Sequence, residues 1–264
     1  GRLAIASSST YRWPLSVIRA NQKSNMGLKL NGILIDPDEP IKFVQVPDEE
    51  IGEYKILTKP ENLSPRDLRI GFYRERIIIL NEAIVEYVLS EDEKLHPIEQ
   101  SIVNKYPNSG MIHVHQFDTI SFIGYCYIAD QKKQRTKAVA DGKLYLDQGT
   151  VFEAESIYAE SLINTLKKSK PKYLENTLKN YKDLSKNDQI KEFLLLREKI
   201  LKDGSMGYYN GGIDEEVMHK FIASFTDSDW TRFTELNYVE YKGISAKNKE
   251  LDILKYINHA YSKL

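Results

Sequence analysis

Met111-Ile112-His113-Val114-His115-Gln116-Phe117-Asp118, continued by Thr119-Ile120-Ser121-Phe122-Ile123-Gly124-Tyr125-Cys126-Tyr127-Ile128-Ala129, is the stretch that decides the fold. It is rich in β-branched and aromatic residues and alternates with a period of two, as a half-buried strand does. Residues 111–140 therefore read as a β-hairpin or meander. The expected apolar face runs through the even-numbered Ile112, Val114, Ile120, Phe122, Cys126 and Ile128. Gln116 and Asp118 interrupt that face, which places a turn or bulge near Phe117. His113 and His115 fall on the opposite, solvent-facing side, continued by Thr119, Ser121, Tyr125 and Tyr127.

Toward the N-terminus further short strands are expected at Gly27–Ile35, Ile41–Val46 and Glu53–Thr58. Asp36-Pro37-Asp38-Glu39-Pro40 and Pro47-Asp48-Glu49-Glu50 form the turns between them. Ser64-Pro65-Arg66-Asp67 reads as a helix start, with serine as cap and proline at the first helical position. Ile77-Ile78-Ile79 is strand-like, Asn81–Leu89 suits a helix, and His96-Pro97 leads a short helix to Lys105. Gln131–Lys137 reads as a basic connection at a solvated hairpin tip.

After Gly149 the period changes to that of a helix. Thr150 with Glu153 has capping-box spacing, and Ser169 with Pro171 opens a second helix. Ser185 with Asp188 opens a third, which stops at Gly204. Asp214, then Thr226 with Asp229, then Ser245 cap three more. The predicted class is α+β: a mixed or antiparallel β-rich region over residues 26–148, then a multi-helix region over 149–264, packed together as one unit.

Residues 1–25 carry no acid but include Arg2, Arg12, Arg19 and Lys23 and the run Ser7-Ser8-Ser9-Thr10. They read as an N-terminal arm: a targeting remnant, a foreign leader ahead of a native start at Met26, or an extended arm on the domain. Over the whole chain 37 basic and 38 acidic side chains leave a net charge of −1. That balance exerts no global pull on nucleic acid or anionic membrane. No apolar stretch approaches the roughly 18 residues of a membrane span. Cys126 is the single cysteine, which excludes an intramolecular disulfide framework and a cysteine-based zinc site. The expected location is an intracellular, reducing compartment: cytoplasmic, or organellar if the arm is a targeting remnant.

Three constellations carry candidate chemistry. His113 and His115, two apart on a strand, point the same way and could share a divalent metal, with His219 or Asp118 to complete the set. The His-x-His resembles that of metal-dependent isopeptidases of the JAB type. There a Ser-x-x-Asp follows, whereas here Ser121 is followed by Gly124. It is also similar to the His-x-His of cupins, with Asp118 standing for the usual Glu and Gly124 for the Gly. The preceding Pro-Gly and the downstream His of that family are absent.

The second constellation, Asp38 with Glu53 and Lys55, resembles the Pro-Asp…Glu-x-Lys pattern of many metal-dependent nucleases. In those, two carboxylates hold magnesium and the lysine stabilises developing charge. A strand pair joined by a turn would bring Asp38 near Glu53. The third is the basic run Lys132–Lys137, with Tyr125 and Tyr127 close enough to stack on bases. Gly207–Gly212 precedes a helix but lacks the Gly-Lys-Ser/Thr of a phosphate-binding loop.

No catalytic motif is assembled, and the chain has 17 tyrosines, a residue favoured at contact surfaces. The functional expectation is a non-catalytic protein-interaction protein: an assembly subunit, an adaptor or a specific inhibitor, with a protein partner favoured over nucleic acid. The alternative is a metal-dependent hydrolase or nuclease using His113 and His115, or else Asp38, Glu53 and Lys55.

Overall fold

The computed structural model describes residues 29–37, 39–88, 94–117, 122–140, 143–202, 218–220, 222–223 and 231–264. The N-terminal arm, Asp38, Asp118, residues 207–212 and the expected caps at Asp214 and at Thr226 with Asp229 lie outside the described residues.

The strands are β1 (Lys29–Asp36), β2 (Tyr54–Thr58), β3 (Leu68–Tyr73), β4 (Arg76–Leu80), β5 (Gly110–Phe117), β6 (Phe122–Ala129), β7 (Lys132–Ala140), β8 (Lys143–Gly149) and β9 (Asn237–Tyr241). They form one antiparallel sheet in the order β2-β9-β3-β4-β1-β5-β6-β7-β8. The helices are α1 (Val85–Val88), α2 (Pro97–Lys105), α3 (Glu153–Ser169), α4 (Pro171–Tyr181), α5 (Lys186–Lys202), α6 (Thr231–Glu235) and α7 (Ile253–Lys263). The class is α+β, as expected.

Both faces of the sheet are covered. Ile33 and Ile35 of β1 join Ile70, Ile77, Ile79, Met111, Cys126 and Ile128 on one face, against Tyr87, Ile98, Ile102 and Ile257 of α1, α2 and α7. Leu30 and Leu34 of the same strand join Ile78, Leu80, Val114 and Tyr238 on the other, against Met218, Ile222 and Phe233. Farther along that second face, Tyr125 packs under Ala159, Leu162, Leu174 and Phe193 of α3–α5. A strand with no solvent side needs no polar alternation, which is why Gly32-Ile33-Leu34-Ile35 is apolar almost throughout. Each fully buried Ile or Leu stabilises by about 1.5–3 kcal/mol in transfer terms.

Several local readings hold. His96 caps α2, its Nδ1 accepting the Ile98 N–H at 3.3 Å while Glu99 Oε2 accepts the His96 N–H at 2.5 Å. Ser185 and Asp188 cap α5 as their spacing predicts, with the Asp188 N–H donating to Ser185 Oγ at 3.1 Å. Other readings are corrected. Ser64-Pro65 starts no helix; the chain runs into β3 at Leu68. Residues 41–46 form no strand. The box on α3 lies two residues later than expected, Glu155 Oε2 accepting the Phe152 N–H at 2.9 Å. The last helix is capped by Asp252, not Ser245.

The expected basic hairpin tip is a strand. The chain reverses at Asp130 and Gln131, whose φ of 50° and 60° are the paired left-handed values that a tight two-residue hairpin turn requires. Lys132–Ala140 then forms β7, with Arg135 and Lys137 buried. β9 was not anticipated. It comes from the second half of the chain and inserts between β2 and β3, pairing Tyr241 with both Tyr54 and Leu68.

Candidate functional site

β5 lies beside β1 near the middle of the sheet, and register places its side chains. His113 is opposite Ile33 of β1 and Cys126 of β6, and His115 is opposite Asn31 and Gly124. Cross-strand partners share a face. Both histidines therefore lie on the apolar face with Met111, Cys126 and Ile128, and both are fully buried. This corrects the solvent-facing expectation. Because Phe117 pairs with Phe122, even positions of β5 continue as odd positions of β6. The apolar set read as one even-numbered face is two half-faces on opposite sides of the sheet.

Helix α2 brings Glu99 down onto this face. Glu99 Oε1 stands 3.0 Å from His113 Nε2, and neither side chain reaches solvent. The contact is at ion-pair distance but off the axis of a good hydrogen bond, and His113 Nδ1 has no hydrogen-bond partner among the described residues. Burial pushes the Glu99 carboxyl up, but the His113 contact and charge, the Lys133 charge and the His96 N–H outweigh it. The net result is a carboxyl below the ordinary range.

His115 sits in a different setting. Its Nδ1 lies 2.8 Å from Asn31 Oδ1, and Asn31 Nδ2 donates to Ser64 Oγ at 2.6 Å. Asn31 Oδ1 can only accept, so Nδ1 carries the hydrogen and Nε2 is left as a bare buried lone pair. Burial, with the His113 charge second, holds the ring well below the usual histidine value, and it stays neutral.

The surroundings are polar on the outward side. Tyr87 stacks on half-buried His96 with ring centroids 3.7 Å apart and gives its hydroxyl hydrogen to the Ala246 carbonyl. Lys133 Nζ donates to the Tyr87 carbonyl at 3.2 Å. Cys126, opposite His113, is pushed up to about 12 by burial and is inert as a nucleophile. The cluster can hold charge and a proton inside a dry interior. Among the described residues no group of three or more His, Cys, Asp or Glu side chains could hold a metal ion. His219 belongs to a helical segment whose Met218 and Ile222 pack beside Val114 and Leu30, the face of the sheet opposite the two histidines.

Of the Asp38, Glu53 and Lys55 constellation, Glu53 and Lys55 are each engaged in ion pairs of their own. β1 and β2 are the middle and the edge of the sheet, with β9, β3 and β4 between them, so the expected strand pair does not form. Asp38 is outside the described residues. Glu53 pairs with Lys242 at 2.9 Å. Lys55 pairs with Glu240 at 2.8 Å, in a cross-strand ladder that Arg69 closes at 2.5 Å. In the basic run, Arg135 is inside, and Tyr125 is buried with its hydroxyl donating to Glu155 Oε1 at 3.0 Å, so Tyr125 offers no stacking face.

Sequence reading missed Glu99, Asn31 and the Arg135 clamp. Arg135 donates to Glu155 from Nε at 2.9 Å and from Nη2 at 2.6 Å, to the Gln148 carbonyl at 2.8 Å, and to Asp147. It ties α3 to β7 and β8. The one legible signal was the His96…Glu99 spacing, which marks a cap and says nothing of burial.

Fold and site together define an antiparallel α+β protein, its sheet clad by helices on both faces and its most chemical side chains enclosed in the core. Compared with known proteins, the chain matches no family model, and no curated protein or solved structure is similar to it beyond chance. No described helix is long and apolar enough to cross a membrane.

Proposed function

We propose that the protein is a non-catalytic interaction protein, an assembly subunit, adaptor or specific inhibitor that works through its surface. The observation that supports this reading is an inversion of the usual division of labour. Glu99, His113, His115, Arg135 and Glu155 are engaged inside the fold, while large apolar side chains stand outside: Ile157, Tyr173, Leu178, Leu184 and Leu195 on α3–α5 and the turn before α5, and Val44, Ile56, Leu144, Tyr145, Tyr261 and Leu264 elsewhere. Exposed apolar groups of this size, with five of them on the α3–α5 unit, fit contact with another macromolecule better than chemistry on a small substrate. The test is affinity capture with the tagged full chain, followed by mass photometry of the purified protein with each candidate. A stoichiometric complex supports the reading. Loss of every captured protein in a salt wash, with a purely monomeric mass, overturns it.

A second reading, a metal-dependent hydrolase or nuclease, is favoured by one specific feature: the bare His115 Nε2 and unpaired His113 Nδ1 enclosed near Glu99. Elemental analysis decides it. Stoichiometric zinc or manganese that His113→Ala removes would support it, and metal-free protein after growth in metal-supplemented medium would end it.

A further inference from the structure

Residues 167–186 carry a large local excess of positive charge. Lys167, Lys168, Lys170, Lys172, Lys182 and Lys186 are exposed and have no ion-pair partner among the described residues. Lys179 pairs with Glu175 at 3.0 Å, and Asp183 is the only other acid, so seven lysines face two acids and the segment carries +5 in a chain of net −1. At the far edge of the sheet three acids are already matched, Glu53 with Lys242, Glu50 with Lys255 and Asp48 with Lys263.

This arrangement does not serve helix stability. Lys170 is the N-cap of α4, Lys172 is in its first turn, and that turn holds no acid. A helix N-terminus carries partial positive charge and disfavours cations there. Lys172, Glu175, Lys179 and Lys182, spaced three, four and three apart, form one stripe along α4. That stripe lies away from the side on which Leu174 and Thr177 are buried.

We propose that this outer face of α4, with the turns that flank it, docks an acidic, amphipathic segment of a partner protein. The inference rests on the interaction reading above. The charge is all lysine. Arginine's planar fork is the side chain suited to bidentate phosphate contacts, whereas lysine is a point charge that asks no such geometry of a carboxylate. Leu178 and Leu184 beside the lysines are 43% and 38% exposed, and Tyr173 on the flank of α4 is 46% exposed, offering apolar contact that a bare polyanion would not use. A second copy of this chain fits less well than such a segment, because Glu53, Glu50 and Asp48 at its far edge are occupied by its own lysines.

The test is fluorescence anisotropy with the full chain and a labelled peptide of repeated Glu-Glu-Leu. A DNA duplex and phosphatidylserine vesicles serve as competing probes. The peptide should bind more tightly than either probe. Its affinity should fall at least about tenfold when Lys172, Lys179 and Lys182 are all changed to Glu, and should weaken as salt rises. If that variant does not fold by circular dichroism, Lys→Gln at the same positions replaces it. Equal binding by wild type and variant overturns the proposal, and so does a preference for the duplex or the vesicles. A captured partner that binds the variant equally well leaves the interaction reading standing and removes this surface. Failure to capture any partner removes that reading, while the peptide titration still decides this one.

Discussion

His113 Nε2 lies 3.0 Å from Glu99 Oε1, with both side chains fully enclosed between β5 and α2. Removing one member of a buried pair strands the other without a partner, which costs about 3–5 kcal/mol. Glu99→Ala should lose stability of that order in urea denaturation at neutral pH. The double change Glu99→Leu with His113→Leu should lose less than Glu99→Ala alone, because no buried polar side chain is left without its partner. The Glu99 carboxyl is held below its ordinary 4.5, so its contribution is complete above that pH and lost as pH falls through the folded value. The gap between wild type and Glu99→Gln should therefore close on acidification. A gap that widens would refute the assignment of an ionised Glu99.

His115 gives the opposite kind of test. It is buried neutral, well below the ordinary 6.5, while in the unfolded chain it takes up a proton near that value. Acid therefore favours unfolding, and the stability lost grows as pH drops below 6.5, by up to about 1.4 kcal/mol per pH unit. His115→Gln should flatten the stability profile in that window. An unchanged slope would place the titrating group elsewhere.

The buried histidines also show where sequence reading succeeds and where it stops. The helix start at His96-Pro97 and the cap at Ser185 with Asp188 were legible, since both need only local geometry. The period of two in β5 was legible for the same reason. That neither side of β5 meets solvent was not. That depends on the odd sum of the Phe117 and Phe122 pairing and on helices arriving from both sides, α2 on one and the segment at Met218 on the other. β9 escaped because Asn237–Tyr241 is short, and its partners at Tyr54 and Leu68 lie far off in sequence. The strand pair expected to join Asp38 to Glu53 does not form, since consecutive strands β1 and β2 are not neighbours.

Arg135 is the fastener of the α3–α5 unit. Its guanidinium is held charged by Glu155 and Asp147 against the opposing effect of burial. Arg135→Ala leaves the buried Glu155 without the guanidinium that neutralises it and should cost about 3–5 kcal/mol. Hydrogen exchange should then rise first in α3 and the β7–β8 edge and leave β1 and β4 protected. Uniform acceleration across the sheet would count against a local fastener.

Gly149 is fixed by space as well as by conformation. Its φ is +81°, and an added Cβ would lie 2.0 Å from the Gln134 carbonyl oxygen, a backbone atom that cannot swing aside. Gly149→Ala should destabilise by at least about 2 kcal/mol and break the pairing of β8 with β7. Gly52 makes the control: its φ is +86° with nothing within 4 Å, so Gly52→Ala meets conformational strain without a clash and should cost less. Equal losses of melting temperature would mean that the contact with Gln134 is not the cause.

At the other edge, Asp48 gathers the C-terminal helix. His259 Nε2 approaches Asp48 Oδ1 at 3.1 Å, Lys263 Nζ reaches the same oxygen at 2.6 Å, and the Tyr54 hydroxyl donates to Oδ2 at 2.9 Å. Led by the Lys263 bond, these contacts lower the Asp48 carboxyl from 3.8 to about 2. Its contribution is thus present above pH 3.8 and disappears as pH falls through about 2. Because Asp48 is exposed, the effect belongs to the local docking of α7 rather than to global stability, and salt should weaken it. Asp48→Asn should raise hydrogen exchange in α7 at neutral pH and make that exchange indifferent to acid between pH 4 and pH 2, where wild-type α7 loosens (window from the two values above). Acid loosening of α7 that persists in Asp48→Asn would assign the effect to another carboxylate, with Glu50, the partner of Lys255 at 3.5 Å, next in line.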